Sequence, residues 1–218
     1  MLKYLINLLF PKLCLGCNAL LLNNEKIICS ECNHNLPHTN HHFLEHNDTT
    51  KKFYGIIPIE FSASMLYFHH KGIVQNLIHN LKYKNHQEVG SLLGKWYAKD
   101  LETVSQIQTV SEIIPVPLHK KRLEERGYNQ VTTFCEALSN ELKIPYNPDL
   151  LYRSRYSKTQ TKKDKENRKD IANSLFDVNF TEADHNKHFL LIDDVMTSGA
   201  TLEACAKALL KIPNSKVS

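Results

Sequence analysis

The sequence predicts an α/β protein in which a parallel sheet is flanked by helices and preceded by a small amino-terminal metal-binding module. Three observations carry that expectation. Strand-like and helix-like apolar patterns alternate from Tyr54 onward, an apolar run from Phe189 to Ile192 ends in two carboxylates and a loop of small residues, and four cysteines near the amino terminus form two C-x-x-C pairs. Strands alternating with helices feed a parallel sheet covered on both faces. With 218 residues, 42% of them hydrophobic and 23% charged, the chain can bury a core, which excludes a collagen-like or wholly disordered protein. The expected organisation is a metal-binding module over 1–37, a linker over 38–52 and an α/β domain over 53–218.

The first apolar run, Leu2 to Phe10, is interrupted by Lys3 and Asn7 and falls well short of the roughly 20 residues that cross a bilayer. Pro11, Lys12 and Leu13 do not supply the small-residue cleavage site of a signal peptide. Leu15-Gly16-Cys17 faintly resembles a lipoprotein processing site, but Cys17 has a better use below. The chain is therefore expected to have no membrane span and to be cytoplasmic.

Cys14 and Cys17 form one C-x-x-C pair and Cys29 and Cys32 a second, with eleven residues between the pairs. Two such knuckles bring four thiolates to the corners of a tetrahedron, the geometry of a closed structural zinc site. A redox pair would call for one C-x-x-C beside a β-α-β unit, disulfides for an oxidising compartment, and an iron–sulfur cluster is the remaining alternative. Zinc is the reading preferred, and with four protein ligands it is structural. Cys135 and Cys205 sit on helical patterns and read as buried small hydrophobes. Five histidines, His34, His38, His41, His42 and His46, follow the second knuckle in a polar stretch; a second metal site is conceivable there, but a solvated linker is the expectation.

In the remainder, Ser64 to Phe68 reads as a strand, followed by an amphipathic helix with Ile73, Leu77, Ile78 and Leu81 on one face and another helix from about His86 to Val104. Glu112 to Val116 is a short apolar strand, then comes a charged turn and a helix from about Asn129 to Leu142. Leu150 to Tyr152 and Phe189 to Ile192 read as strands, and Ala200 to Leu210 as a helix. Net charge is +4, from 27 Lys and Arg against 23 Asp and Glu. Residues 151–170 alone hold eight basic and three acidic side chains, a local net of +5. On charge alone such a block is more often a solvated face than a phosphate contact.

The most informative stretch is Phe189-Leu190-Leu191-Ile192-Asp193-Asp194-Val195-Met196-Thr197-Ser198-Gly199-Ala200-Thr201. In an open α/β sheet, ligands lie at the carboxyl ends of the strands, and a helix amino terminus offers unpaired N–H groups to a phosphate. Thr197 to Thr201 can wrap a phosphate, with Gly199 allowing close approach, while Asp193 and Asp194 accept from the hydroxyls of the attached sugar. The plainer alternative is two acids capping a helix, a task that needs only one of them.

This stretch resembles the ribose-5-phosphate-binding signature of the type I phosphoribosyltransferases. More closely, the chain resembles the ComF family of competence-associated, phosphoribosyltransferase-like proteins. Four passages carry the resemblance: the knuckles Cys14 to Cys32; Val116-Pro117-Leu118-His119 with Arg122 and Arg126-Gly127-Tyr128-Asn129-Gln130; Thr159-Gln160 through Arg168, Asn173 and Phe176; and the Asp-Asp loop. They span most of the chain. The resemblance implies a type I phosphoribosyltransferase-like fold and 5-phosphoribosyl-1-pyrophosphate (PRPP) with Mg²⁺ as substrate. Asp193 and Asp194 would meet ribose hydroxyls, Thr197, Ser198, Gly199, Ala200 and Thr201 the 5-phosphate, and Val116, Pro117, Leu118 and His119 the pyrophosphate. The basic stretch with Lys162, Lys163, Lys165 and Arg168 would match the loop that closes over the leaving group, and Arg122 and Arg126 are further catalytic candidates, each equally readable as a surface salt-bridge partner.

Purine-salvage relatives carry an acidic residue where Thr197 stands, so a purine acceptor is not expected. A last strand beginning at about Lys216 to Val217 is where the sequence stops, so an edge strand normal for the family is expected to be missing or very short. A second reading makes the protein a DNA-handling competence factor, partnered by a helicase and single-stranded DNA, in which the PRPP fold serves binding rather than turnover.

Overall fold

The computed structural model describes residues 11–154 and 175–218. The amino-terminal module holds the two knuckles, with helix α1 (Ser30–His34) inside the second. Helices α2 (Asp48–Phe53), α3 (Ile73–Tyr83) and α4 (Glu88–Leu101) follow. Apolar residues set which faces of α3 and α4 are covered: Val74, Leu77 and Leu81 are buried on α3, and Val89, Leu93, Tyr97 and Leu101, four apart, on α4. Then come β1 (Glu112–Pro115), α5 (Lys120–Arg126), α6 (Thr132–Leu142), β2 (Leu151–Arg153), β3 (Phe176–Val178), β4 (His188–Ile192), α7 (Ala200–Leu209) and β5 (Lys216–Val217).

Strands β1, β4 and β5 form a parallel sheet in that order, with Glu112 opposite Phe189, Pro115 opposite Ile192, and Phe189 opposite Val217. Both faces are buried, as the apolar strands required. Ile113 and Leu190 pack on one side with Tyr97, Leu101, Cys135 and Leu138 of α4 and α6. Ile114 and Phe189 pack on the other with Ala204, Cys205, Ala208 and Leu209 of α7. Cys135 and Cys205 are both fully buried, as expected. Helices α4 and α6 cross at very short range, because Gly90 and Gly94 leave no side chain between them: a Cβ on Gly94 would lie 2.6 Å from the Phe134 carbonyl oxygen. Among the described residues, no helix is long and apolar enough to cross a membrane.

The structure departs from the sequence reading at four places. Residues 64–68 are not a sheet strand; their backbone pairs with the chain after the second knuckle, through His38 opposite Leu66 and the Tyr67 N–H on the Pro37 carbonyl, 2.8 Å. The charged turn is helix α5, whose i,i+4 pairs Lys120–Glu124 and Lys121–Glu125 support an exposed helix with no apolar face to read. Strand β3, unread in the sequence, pairs antiparallel with β2. The stretch 38–52 is not a solvated linker: His41, Asn47, Thr49 and the following Phe53 are buried. The Asn47 side chain accepts from Thr49 and Thr50 N–H at the start of α2 and donates to the Ser62 carbonyl at 2.7 Å. The edge strand β5 is very short, two residues, as one of the two expectations had it, and beyond it Glu60 donates its N–H to the Val217 carbonyl at 2.9 Å, so an earlier part of the chain lies along that edge.

Candidate functional site

Strands β1 and β4 are neighbours, yet the chain leaves them toward opposite faces: α6 lies on one side of the sheet and α7 on the other. A crevice opens at the carboxyl ends of strands where the winding reverses in this way, and it is the general ligand position of open α/β sheets. Both loops that the sequence singled out rim it. Val116 follows β1, its N–H on the Ile192 carbonyl at 2.8 Å and its own carbonyl held by Asn129 Nδ2 at 2.9 Å. Pro117 and Leu118 are half-buried, and His119 is exposed, accepting the Lys121 N–H to start α5. Asp193 and Asp194 follow β4.

The two carboxylates do not cap α7, whose first turn begins after Gly199. Asp193 Oδ1 accepts the Asp194 N–H at 2.9 Å. Burial, and then the charge of Asp194, push the Asp193 carboxyl up to about 6, against the weaker opposing pull of the Asp194 N–H and Lys82. Asp194 Oδ2 is buried and lies 2.6 Å from Lys82 Nζ, an ion pair whose angles fall outside those of a hydrogen bond. Lys82 comes from α3, and nothing in the sequence marked it.

Thr197, Ser198, Ala200 and Thr201 are exposed around Gly199, which is buried with φ +85°. That conformation favours glycine, and a Cβ there would sit 3.2 Å from the Phe53 ring. Gly199 has no side chain to cap α7; Ser198 Oγ accepts the Ala200 N–H at 3.4 Å, and the first turn opens into a loop of hydroxyls. Lys52 of α2 donates to the Thr197 carbonyl, a second cation absent from the sequence reading.

The arginine candidates divide. Arg122 is exposed on α5, whereas Arg126 is engaged with Gln130 Oε1 at 2.7 Å and stacks on Tyr83, its guanidinium carbon 5.0 Å from the ring centre. Lys162, Lys163, Lys165 and Arg168 lie outside the described residues. From the carboxylates a cavity of about 410 Å³ runs between α3, α4 and α6 to the segments 39–49 and 63–68. Its walls are mostly apolar, including Val74, Leu77, Leu93 and Phe134, with His41 and Thr49 among its polar groups. His41 Nδ1 takes the Ser64 N–H at 3.4 Å and lies 3.1 Å from the Thr49 hydroxyl, and burial holds the ring below its ordinary pKa.

In the amino-terminal module the four sulfurs lie within 4.8 Å of one another, and no cysteine is in a disulfide. Cys14 Sγ accepts N–H groups of Gly16 and Cys29 at 3.4 and 3.2 Å, and Cys29 Sγ that of Cys32 at 3.4 Å. Burial raises the Cys14 thiol, but N–H groups from Cys29, Cys17 and Gly16 overcome it and bring it down to about 7. Burial and the neighbouring sulfurs hold Cys32 far above an ordinary thiol. Four sulfurs this close could hold a divalent cation among them, and the all-sulfur set suits a structural zinc. Among the described residues it is the one grouping of three or more His, Cys, Asp or Glu side chains close enough to share a metal ion. The carboxylate pair makes no such grouping for Mg²⁺ among those residues.

No family model matches the chain. Curated proteins do. Over 138 residues it is 29% identical to the DNA utilization protein YhgH of Shigella flexneri, covering 62% of this chain and 60% of the relative. Competence protein F of Haemophilus influenzae is 29% identical over 140 residues, covering 62% and 61%. Competence protein ComFC of Bacillus subtilis is 33% identical over 99 residues, covering 45% and 38%. These similarities support membership of the ComF family. Its matched part spans about three fifths of the length of the YhgH proteins and of competence protein F.

Proposed function

We propose that the chain is a PRPP-binding protein with a type I phosphoribosyltransferase-like fold, acting in the handling of DNA taken up by the cell. The carrying observation is the pairing, at one switch point, of the Asp193–Asp194 carboxylates and the hydroxyl-rich 197–201 loop at the start of α7 with the 116–119 loop of the adjacent strand. Ribose hydroxyls would donate to the carboxylates, the 5-phosphate would take the N–H groups of the 197–201 loop, and the pyrophosphate would lie toward 116–119. Mg²⁺ belongs to the substrate in this reading, carried on the diphosphate oxygens, where it would neutralise charge on the leaving group. The protein's own part is to fix the sugar and exclude water, so that a group in the adjoining cavity could meet the ribosyl carbon as pyrophosphate departs. That cavity is the place for an acceptor, and Thr197 in place of an acid argues against a purine.

The names of the relatives, DNA utilization protein and competence protein, support the DNA-handling setting. They also favour the second reading, a competence factor that binds single-stranded DNA beside a helicase and uses PRPP as a signal. Calorimetric titration with PRPP and Mg²⁺, with ribose 5-phosphate, and separately with single-stranded DNA tests both. PRPP binding that Asp193→Asn with Asp194→Asn abolishes supports the first assignment; PRPP affinity unchanged in that double variant refutes it.

A further inference from the structure

Helix α3 stands between the metal module and the sugar-phosphate site and touches both. On one side Asn76 Nδ2 donates to the Gly16 carbonyl at 2.6 Å and Asn80 Nδ2 to the Leu15 carbonyl at 2.9 Å, both within the first knuckle. Asn80 is buried, and Val74, Leu77 and Leu81 share one core with Cys14, Cys29 and Cys32. Gly16 is so closely covered that a Cβ there would lie 2.9 Å from Ile73 and 3.0 Å from Cys32 Sγ. Asn76 and Asn80 are one turn apart; Lys82 is two residues past Asn80, about 200° around the helix at 3.6 residues per turn, and so leaves from another side. There it reaches Asp194 Oδ2 at 2.6 Å, with the Lys82 side chain 19% exposed and that of Asp194 9%.

We propose that Lys82 is a positioning residue of the sugar-phosphate site, held against Asp194 by the helix on which the four-cysteine module is seated, so that metal in the module sets the affinity of the carboxylate pair for its ligand. The inference rests on the reading of Asp193 and Asp194 as the acceptors of ribose hydroxyls. Two adjacent carboxylates in a partly buried crevice repel each other, and a pair deprived of its cation relieves the repulsion by holding a proton. A protonated carboxyl loses an acceptor oxygen for a sugar hydroxyl. Lys82 fixes one oxygen of Asp194 and places a positive charge beside the pair, leaving the other oxygen for ligand. The charged and titratable groups facing the pair are Lys82 from α3 and Cys205 from α7, with Lys52 of α2 on the neighbouring Thr197 carbonyl. Lys82 is the cation in contact with a carboxylate oxygen of the pair among the described residues.

The test compares wild type, Lys82→Met, Lys82→Arg and the double variant Asn76→Ala with Asn80→Ala, each zinc-loaded, by calorimetry with PRPP and Mg²⁺ from pH 6.5 to 8.5. Lys82→Met should bind about ten-fold more weakly at pH 7 and recover as pH rises and the pair loses its proton, while Lys82→Arg stays near wild type. The asparagine double variant, which keeps the metal and loosens the helix from the module, should weaken binding in the same direction. Removing zinc with a chelator should weaken wild type and leave Lys82→Met unchanged. Equal PRPP affinity and equal pH profiles in wild type and Lys82→Met overturn the inference while the PRPP reading stands. If PRPP binds none of the proteins, that reading fails, and ligand-free urea unfolding still decides the role of Lys82. A Lys82→Met loss of stability that grows with pH upholds the ion pair's role, and parallel curves overturn it.

Discussion

Asp193→Asn should stabilise the protein while it weakens ligand binding. The carboxyl is pushed up to about 6 from an ordinary 3.8, first by burial and then by the neighbouring Asp194 charge. A raised folded-state pKa means that folding favours the neutral acid, so stability from this group is present below the ordinary carboxylate range and is lost as pH rises through about 6. At about 1.4 kcal/mol per unit, the ionised group costs at most about 3 kcal/mol above that pH. Asparagine keeps the oxygen that accepts the Asp194 N–H and carries no charge, so the variant avoids the cost. Urea unfolding of both proteins at pH 4, 5, 6, 7 and 8 measures it. The curves should coincide near pH 4 and separate toward a gain of about 2–3 kcal/mol for the variant at pH 7 and above. A variant equally or less stable at pH 7.5, or a difference independent of pH, would refute this account of the pair. The wild-type acid at this position is then a destabilising group kept for its chemistry.

The wild-type protein should carry one zinc per chain by metal analysis, and Cys29→Ser should lose it together with the folded amino-terminal module; wild type free of zinc after reducing purification would defeat the four-thiolate assignment. Gly94→Ala should destabilise by more than about 2 kcal/mol in urea, because its methyl meets the backbone of α6 at 2.6 Å rather than a side chain able to turn away; a loss under about 0.5 kcal/mol would mean that the crossing yields. Replacing Lys162, Lys163, Lys165 and Arg168 together by Ala should weaken PRPP far more than ribose 5-phosphate if these residues meet pyrophosphate. If instead they hold a DNA backbone, PRPP is unaffected, and the slope of log affinity for single-stranded DNA against log salt falls by about 0.7 per lost contact.

How much was legible follows from where each signal is written. The covered faces of α3 and α4, the C-x-x-C pairs and the strand–Asp-Asp–small-loop passage are local patterns, and the structure keeps all of them. Helix α5 has no apolar stripe, so its charges looked like a turn. Stretch 38–52 looked solvated because its buried groups are polar, Asn47, Thr49 and His41, and polar burial depends on partners such as the Ser62 carbonyl that no local pattern discloses. Lys82 and Lys52 were missed for the same reason: each meets its partner across more than a hundred residues, and a single lysine on a helix carries no mark of destination.

The register of the sheet also fixes a timetable for synthesis. β1 gains a neighbour early on one side, where Ile113 donates to the Pro145 carbonyl at 2.8 Å, but on the other side Glu112 waits for Phe189, 77 positions later. At about 5–20 residues per second, a ribosome leaves that edge without its partner for roughly 4 to 15 s. Through that interval an apolar Ile113-Ile114 edge, which ends deep in the finished molecule, is open to pairing with any other nascent strand. Yield on refolding should therefore fall steeply with protein concentration, and a cell making this protein quickly has reason to shield the chain until β4 emerges.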